Sequence, residues 1–173
     1  MMTETEVKGY SIWLIPDQKT QADLESVTQD LRVRFDGPDI PLHLTLLGQI
    51  TDQPDHIVNQ FRKLALGQSQ LDLTFEYIGY ERLFFRALYL KIVESPELLN
   101  LNKIARASFH RESDPPFLPH ISLLYSSSEK AEKRLFENQI QKVAIKNIPM
   151  VSLELVRTQG PVSAWKSIEV IDL

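Results

Sequence analysis

A histidine placed two residues before a hydroxyl residue, inside an otherwise apolar run, occurs twice in this sequence. The two runs are PLHLTLLG at 41–48 and LPHISLLY at 118–125. Residues i and i+2 of a β-strand point to the same face, so His43 shares a face with Thr45, and His120 shares one with Ser122. The apolar residues between them point the other way, toward a core. Each run therefore predicts a strand with one apolar face and one polar face that carries a histidine and a hydroxyl.

Both runs occupy the same place in a repeated order of predicted elements, in which alternating apolar residues indicate strands and apolar residues three or four apart indicate helices. The first half gives a strand at 9–16, a helix around 24–35, the strand at 41–48, a helix around 57–64 and a strand at 71–80. The second half gives a strand at 83–93, a helix around 98–109, the strand at 118–125, a helix to about 142 and a strand at 149–159. The tail, 164–173, alternates again and predicts an edge strand.

The repeated order predicts an α+β fold made of two pseudo-symmetric antiparallel-sheet lobes, with helices outside and a central cleft. We expect one domain over 1–173, with lobe halves at about 9–80 and 83–172, because no segment is rich enough in Gly, Ser or Pro to act as a linker. A ferredoxin-like single sheet is the alternative arrangement of the same elements. The internal two-fold symmetry would bring the two polar pairs together across the cleft.

The composition excludes several classes of function. The chain has no cysteine, which excludes disulfide scaffolds, thiolate zinc sites and cysteine nucleophiles. It has no apolar stretch long enough for a bilayer and no secretory signal pattern at its start, so we expect a cytoplasmic location and no membrane partner. The net charge of -4 speaks against a long nucleic acid, although Arg82, Arg86 and Arg111 could cluster at the mouth of the cleft. We expect a monomer that binds a small anionic ligand.

Two histidines that face one another near neutral pH can act as base and acid in one reaction. The neutral one takes a proton from water, the charged one gives a proton to the leaving oxygen, and each transfer contributes about two to four orders of magnitude in rate. The hydroxyls of Thr45 and Ser122 are compact donors for the non-bridging oxygens of a phosphate. Together with His43 and His120 they predict a metal-free site for a phosphoester or cyclic phosphate, without a cofactor.

Three other interpretations of the histidines are less well supported. Single histidines on strands are mostly structural, but here both runs carry a preceding proline and apolar residues at matching offsets. A metal centre would need further ligands, and His56 and His110 fall on predicted helices away from the cleft. A serine-hydrolase site lacks its G-x-S-x-G turn, and each hydroxyl shares a strand face with its histidine, which is a poor geometry for attack.

The two runs resemble the paired H-x-[ST]-hydrophobic tetrads of the 2H phosphoesterase superfamily, here at 43–46 and 120–123. YSIWLIP near the start, the phenylalanine pair at 84–85 and PHISLLY resemble more closely its cyclic phosphodiesterases of plant and fungal type, over about residues 9–172. The resemblance implies a bilobal α+β enzyme without a metal requirement that opens ribose cyclic phosphates. The implied substrates are ADP-ribose 1″,2″-cyclic phosphate, opened to the 1″-phosphate, and nucleoside 2′,3′-cyclic phosphates, opened to 2′-phosphates.

The same resemblance implies roles for individual residues. His120 would deprotonate the attacking water, and His43 would protonate the departing sugar oxygen. Thr45 and Ser122 would bind phosphate oxygens. Tyr125, at the end of the second motif strand, would contact the substrate.

Two aromatic residues, Trp13 and Phe85, match positions that line the cleft in that family. A base or a ribose could stack on them there. Trp13 falls on the face of its strand opposite to Ile12 and Leu14, so one of these two faces must look away from the helices. The alternative is that both aromatic residues belong to the core, where such side chains are mostly found.

Two other functions stay open. The first is processing of RNA ends that carry 2′,3′-cyclic phosphate, or ligation through a 2′-5′ bond, which the acidic balance of charge disfavours. The second is a non-catalytic nucleotide-binding module, for which two histidines are more than is needed, since Arg, Lys or backbone donors can bind an anion.

The chain differs from plant members of the family in the loop before the second motif. Plant members carry cysteines in this loop, whereas this chain has RESDPPF at 111–117, which excludes redox control of the loop.

Overall fold

The computed structural model describes residues 7–128, 133–143 and 145–173. The described residues form seven strands: β1 (Tyr10–Pro16), β2 (Leu44–Ile50), β3 (Leu71–Tyr80), β4 (Leu88–Ile92), β5 (His120–Leu124), β6 (Asn147–Arg157) and β7 (Lys166–Asp172). They also form four helices: α1 (Gln18–Phe35), α2 (Pro54–Ala65), α3 (Pro96–Ser108) and α4 (Lys133–Lys142). The strand pairings are antiparallel, so the predicted α+β class with an antiparallel sheet is confirmed. The start of the fourth predicted helix, before Lys133, lies outside the described residues.

Local sequence explains where the helices begin and end. Asp17 caps α1 and Ser95 caps α3, each by accepting a hydrogen bond from a first-turn amide, at 2.9 and 3.2 Å. α2 begins with Pro54, because the first turn of a helix does not need the amide hydrogen that proline lacks. α1 ends where Asp36 adopts the left-handed conformation, with φ of 52°. These signals set the lengths of the helices that cover the sheet.

Strands β1 to β6 are arranged symmetrically around the pair formed by β2 and β5. The strands lie in the order β1-β2-β5-β4-β3-β6-β7, and β6 also pairs with β1. Outward from the β2–β5 pair, the neighbours are β1 and then β6 on one side, and β4 and then β3 on the other. Each strand of the first half therefore has its counterpart from the second half at the equivalent place, as expected for internal two-fold symmetry.

The third strand of each half pairs with the first strand of the other half. β3 pairs with β4, and β6 pairs with β1. β6 also pairs with β3 over residues 147–150. Through its pairs with β1 and β3, β6 therefore joins strands of the first half on both of its sides. The strands of 9–80 and 83–172 thus belong to one hydrogen-bonded sheet. The division into two lobes with these bounds remains a prediction.

The strand predicted at 83–93 is shorter than expected. Phe84–Arg86 forms a 3₁₀ turn, and β4 begins only after it. The Ser122 hydroxyl donates a 2.7 Å hydrogen bond to the Phe85 carbonyl, and the Arg86 amide donates to the Leu83 carbonyl at 3.0 Å. In a strand, these backbone groups would form hydrogen bonds with a neighbouring strand. Here the Phe85 carbonyl and the Arg86 amide have other partners, so the chain can turn at this point.

The core lies between the helices and one face of the sheet. Leu44 and Leu46 of β2 and Ile121 and Leu123 of β5 are at most 2% exposed. α1 packs against β5 and α4, and α3 packs against β2 and α2. The apolar sides of both motif strands are therefore buried as predicted, and their other sides are free to carry polar groups. Within the described part of the chain, no helix is long and apolar enough to cross a membrane.

Candidate active site

The polar faces of β2 and β5 open into a cavity of about 350 Å³. This volume lies within the range of about 300–1,000 Å³ that is usual for sites of small ligands. All seven candidate residues from the sequence line this cavity: His43, His120, Thr45, Ser122, Tyr125, Trp13 and Phe85. The structure thus brings together side chains from the first strand, both motif strands and the turn before β4.

The register of the motif strands explains why their polar groups meet. Leu44 of β2 lies opposite Ile121 of β5. Extending this antiparallel register by one residue in each direction places His43 opposite Ser122 and Thr45 opposite His120. Each histidine therefore stands beside the hydroxyl residue of the other motif, on the face away from the core.

Both histidines are held in the same tautomer. The Nδ1 atom of His43 lies 2.7 Å from the Pro41 carbonyl oxygen, and that of His120 lies 2.7 Å from the Leu118 carbonyl oxygen. A carbonyl only accepts, so each Nδ1 carries the hydrogen and each Nε2 keeps its lone pair in the neutral ring. The acceptor is the carbonyl two residues earlier in both cases, so the internal symmetry extends to the orientation of the imidazoles.

Burial disfavours the charged form of both rings. Desolvation and, to a smaller extent, the nearby His120 lower the pKa of His43 to about 4, although the bond to the Pro41 carbonyl acts in the opposite direction. Desolvation also lowers the pKa of His120, and the positive charge of Arg86 adds to this effect. A phosphate anion between the rings would favour their charged forms, because an opposite charge nearby raises the pKa of a histidine.

Aromatic rings fix the position of each histidine. Trp13 stacks on His43 with ring centroids 3.6 Å apart and an angle of 12° between the planes. The Tyr125 hydroxyl lies 3.4 Å from His43 Nε2, to which it can donate. Tyr89 meets His120 edge to face, with centroids 5.4 Å apart. Trp13 is only 3% exposed, so it is both a buried residue and a wall of the cavity, and the two alternatives for it are compatible.

The hydroxyls of the two motifs differ in their present partners. Ser122 directs its hydrogen to the Phe85 carbonyl, so it must rotate before it can donate to a phosphate. Thr45 is half-buried and lines the same cavity.

Sequence reasoning missed another pair, Ser11 and Thr158, whose hydroxyl oxygens lie 3.0 Å apart in the cavity wall. Ser11 could have been found, because it shares the face of Trp13 on β1.

A second residue that sequence reasoning missed is Trp165, just before β7. Its ring lies nearly parallel to that of Phe85, with centroids 6.0 Å apart and 25° between the planes. Its indole Nε1 donates to the Gly160 carbonyl at 3.1 Å. Phe85, Trp165 and Tyr125 therefore form an aromatic wall of the cavity, suited to a base or a ribose.

The three arginines that could have clustered at the mouth lie in different surroundings. Of the three candidates, Arg86 lines the cavity, where it pairs with Glu81 at 2.6 Å. Arg82 is exposed and does not belong to the lining found among the described residues. Arg111 is paired with Asp114 at 2.7 Å, which neutralises its charge. Two of these cations thus satisfy carboxylates nearby in sequence, a pairing that spacing alone does not reveal.

The remaining histidines lie outside the cavity. His56 is exposed on α2, as predicted, with its ring edge-on to that of Phe109. His110 does not lie on a helix: it follows α3 in the left-handed conformation, with φ of 54°. Among residues 7–128, 133–143 and 145–173, no group of three or more His, Cys, Asp or Glu side chains is arranged to hold a metal ion. Independence from metal remains a prediction.

The chain is similar in sequence to cyclic phosphodiesterases. A model of the family described as cyclic phosphodiesterase-like protein matches residues 8–173. The chain is 25% identical to a cyclic phosphodiesterase of Arabidopsis thaliana over 133 residues, which are 77% of this chain and 74% of that protein. It is 24% identical to a 2′,3′-cyclic-nucleotide 3′-phosphodiesterase of Yarrowia lipolytica, in an alignment that covers 95% of this chain and 99% of that one.

The fold is also that of a solved structure from E. coli. LigT of E. coli, solved in complex with ATP, superposes with a TM-score of 0.63 at 17% identity, over 98% of this chain and 99% of LigT. At this identity the likeness shows the fold alone. With the family match over nearly the whole sequence, however, the assignment is complete: the chain belongs to the cyclic phosphodiesterase-like family of 2H phosphoesterases, and it is a phosphodiesterase that acts on cyclic phosphates.

Proposed function

We propose that this enzyme hydrolyses ribose cyclic phosphates by a metal-independent mechanism in which two histidines act as acid and base. The substrates are 2′,3′-cyclic nucleotides, opened to 2′-phosphates, or ADP-ribose 1″,2″-cyclic phosphate, opened to the 1″-phosphate, or both. The observation that carries the proposal is the matched pair of imidazoles in one cavity, each with Nδ1 held by a carbonyl and Nε2 available for proton transfer. The name of the Yarrowia relative supports a 2′,3′-cyclic substrate.

In the proposed reaction, His120 Nε2 takes a proton from a water molecule as the water oxygen attacks phosphorus. The bond between phosphorus and the 3′-oxygen of the ribose breaks, and His43 Nε2 gives its proton to that oxygen. One water is thereby added, and the product is a 2′-phosphate with a free 3′-hydroxyl. Thr45 and Ser122 donate to the two non-bridging oxygens, where negative charge builds up during attack.

The surroundings of the rings support this division of roles. Arg86 disfavours the charged form of His120, which suits a group that must be neutral before it accepts a proton. Trp13 covers one face of His43, and an indole face attracts a cation, which suits a group that must be charged before the reaction. Because burial lowers the pKa of His43 to about 4, its charging depends on the phosphate anion of the substrate.

The test is a comparison of three histidine variants on 2′,3′-cyclic AMP, with product separated by chromatography. His43→Ala and His120→Ala should each lower kcat by about two to four orders of magnitude, with unchanged circular dichroism. His56→Ala, which removes an exposed histidine on α2, is the matched control and should retain full activity. Near-normal turnover by either cavity variant would overturn the acid and base assignment.

A further inference from the structure

The wall of the cavity beside the first motif contains a β-bulge at Gly48 and Gln49. Tyr10 pairs with Ile50 and Ile12 with Leu47, so one residue of β1 between them lies opposite two residues of β2. Both bulged residues line the cavity. Bulges next to active sites change the direction of a side chain, and this one lies four residues beyond Thr45 on the same strand.

Gln49 occupies this bulge in a conformation that its side chain disfavours. Its φ is 53°, in the left-handed region where glycine or asparagine is usual. Non-glycine residues keep such conformations only where their surroundings impose them, and these places cluster at ligand sites. The side chain of Gln49 is exposed at the mouth of the cavity, where its amide offers one acceptor and two donor hydrogens.

Arg111, far away in sequence, holds the bulge in place. Its Nη1 donates to the Gln49 carbonyl at 3.0 Å and approaches the Gly48 carbonyl at 3.4 Å. Asp114 fixes the guanidinium through two contacts, at 2.8 Å from Nε and 2.7 Å from Nη2. The planar guanidinium thus bridges the bulge and the turn after α3, an arrangement that lysine cannot reproduce with a single ammonium group.

The bulge and the aromatic wall line the same cavity. Trp165 donates to the Gly160 carbonyl, and Gly160 pairs with Val7, which lines the cavity together with Gln49. A flat ring stacked on the aromatic wall would need hydrogen-bond partners for its polar edge, and the exposed Gln49 belongs to the lining of the same cavity.

We propose that Gln49 reads the edge of the nucleobase of the substrate and that Arg111 is a positioning residue that keeps Gln49 in the required conformation. This inference rests on the proposed hydrolysis of 2′,3′-cyclic nucleotides. Nucleobases present donors next to acceptors on their edges, and a carboxamide matches such a pair, as glutamine does with adenine. Gln49 would then contribute to the choice of base, while the histidines act on the phosphate.

The experiment is steady-state kinetics on the four 2′,3′-cyclic nucleotides and on the cyclic phosphate of methyl riboside, which has no base. The wild type should distinguish the bases. Gln49→Ala should raise KM for the preferred nucleotide about fivefold to tenfold, reduce the differences among the four, and leave kcat and the rate on the base-free compound unchanged. Arg111→Lys should reduce the same differences without changing kcat. Gln53→Ala, at the exposed cap of α2 where the side chain makes no capping bond, should behave as the wild type.

The outcomes distinguish a failure of the proposed role of Gln49 from a failure of the proposed hydrolysis. If the wild type opens the base-free compound but treats all four nucleotides alike, or if Gln49→Ala keeps the wild-type order of bases, the role of Gln49 is overturned and hydrolysis stands. An equal loss on nucleotides and on the base-free compound would also overturn it, because it would show a contact to sugar or phosphate. If the wild type opens none of the five compounds, the proposed hydrolysis of 2′,3′-cyclic phosphates fails, and this inference fails with it.

Discussion

Replacing His43 with asparagine is expected to make the stability of this protein less sensitive to acid. Burial lowers the pKa of His43 from 6.5 to about 4 in the folded protein. Between these values the unfolded chain binds a proton that the folded protein does not, so the free energy of unfolding falls as the pH decreases from 6.5 to 4. Above pH 6.5 the group is neutral in both states and contributes no pH dependence. At pH 5, about 1.5 pH units into this window, the loss is about 2 kcal/mol.

The assay is denaturation by guanidinium chloride at pH 7.5 and pH 5 for the wild type, His43→Asn and His56→Asn. The wild type should lose about 2 kcal/mol more than His43→Asn between the two pH values. His56→Asn, which changes an exposed ring, should follow the wild type. Equal losses in the wild type and His43→Asn would refute the reasoning, because they would mean that this imidazole is charged at pH 5 in the folded state as well.

Three further changes test separate parts of the site. Ser122→Ala removes the hydroxyl that donates to the Phe85 carbonyl, so the free energy of unfolding at pH 7.5 should fall by about 1 kcal/mol; unchanged stability would argue against this bond in solution. Arg86→Gln removes a charge that lowers the pKa of His120, so the acid limb of the profile of kcat/KM against pH should move to higher pH. Arg62→Gln, on the surface of α2, is the control and should leave the limb in place. EDTA should leave the rate of hydrolysis unchanged, whereas a loss that a divalent ion reverses would favour a metal centre.

The sequence indicated which side chains of the two motifs would lie together, because the pattern of a strand decides which side chains share a face. His43, directly before β2, and Thr45 had to lie on the same side of the chain once Leu44 and Leu46 were buried on the other side. The second motif follows the same rule. The repeated order of elements also indicated the symmetry that brings the two strands together. Neither conclusion required knowledge of long-range contacts.

The parts that the sequence did not predict depend on contacts between distant segments. Alternation identifies β3 and β6 as strands but does not say which strands they pair with. The sequence therefore did not predict that each of them pairs with the first strand of the other half. The turn at Phe84–Arg86 is built from apolar residues that suit a strand equally well. Trp165 looked like part of an alternating tail, and the left-handed Gln49 has no glycine to signal it.

The most direct test of the account is phosphorus NMR of the purified wild type with 2′,3′-cyclic AMP in the presence of EDTA. The two-histidine mechanism predicts that the cyclic phosphate signal is replaced by that of the 2′-phosphate alone, at a rate that EDTA does not change. Persistence of the cyclic signal, for this substrate and for ADP-ribose 1″,2″-cyclic phosphate, would contradict the account.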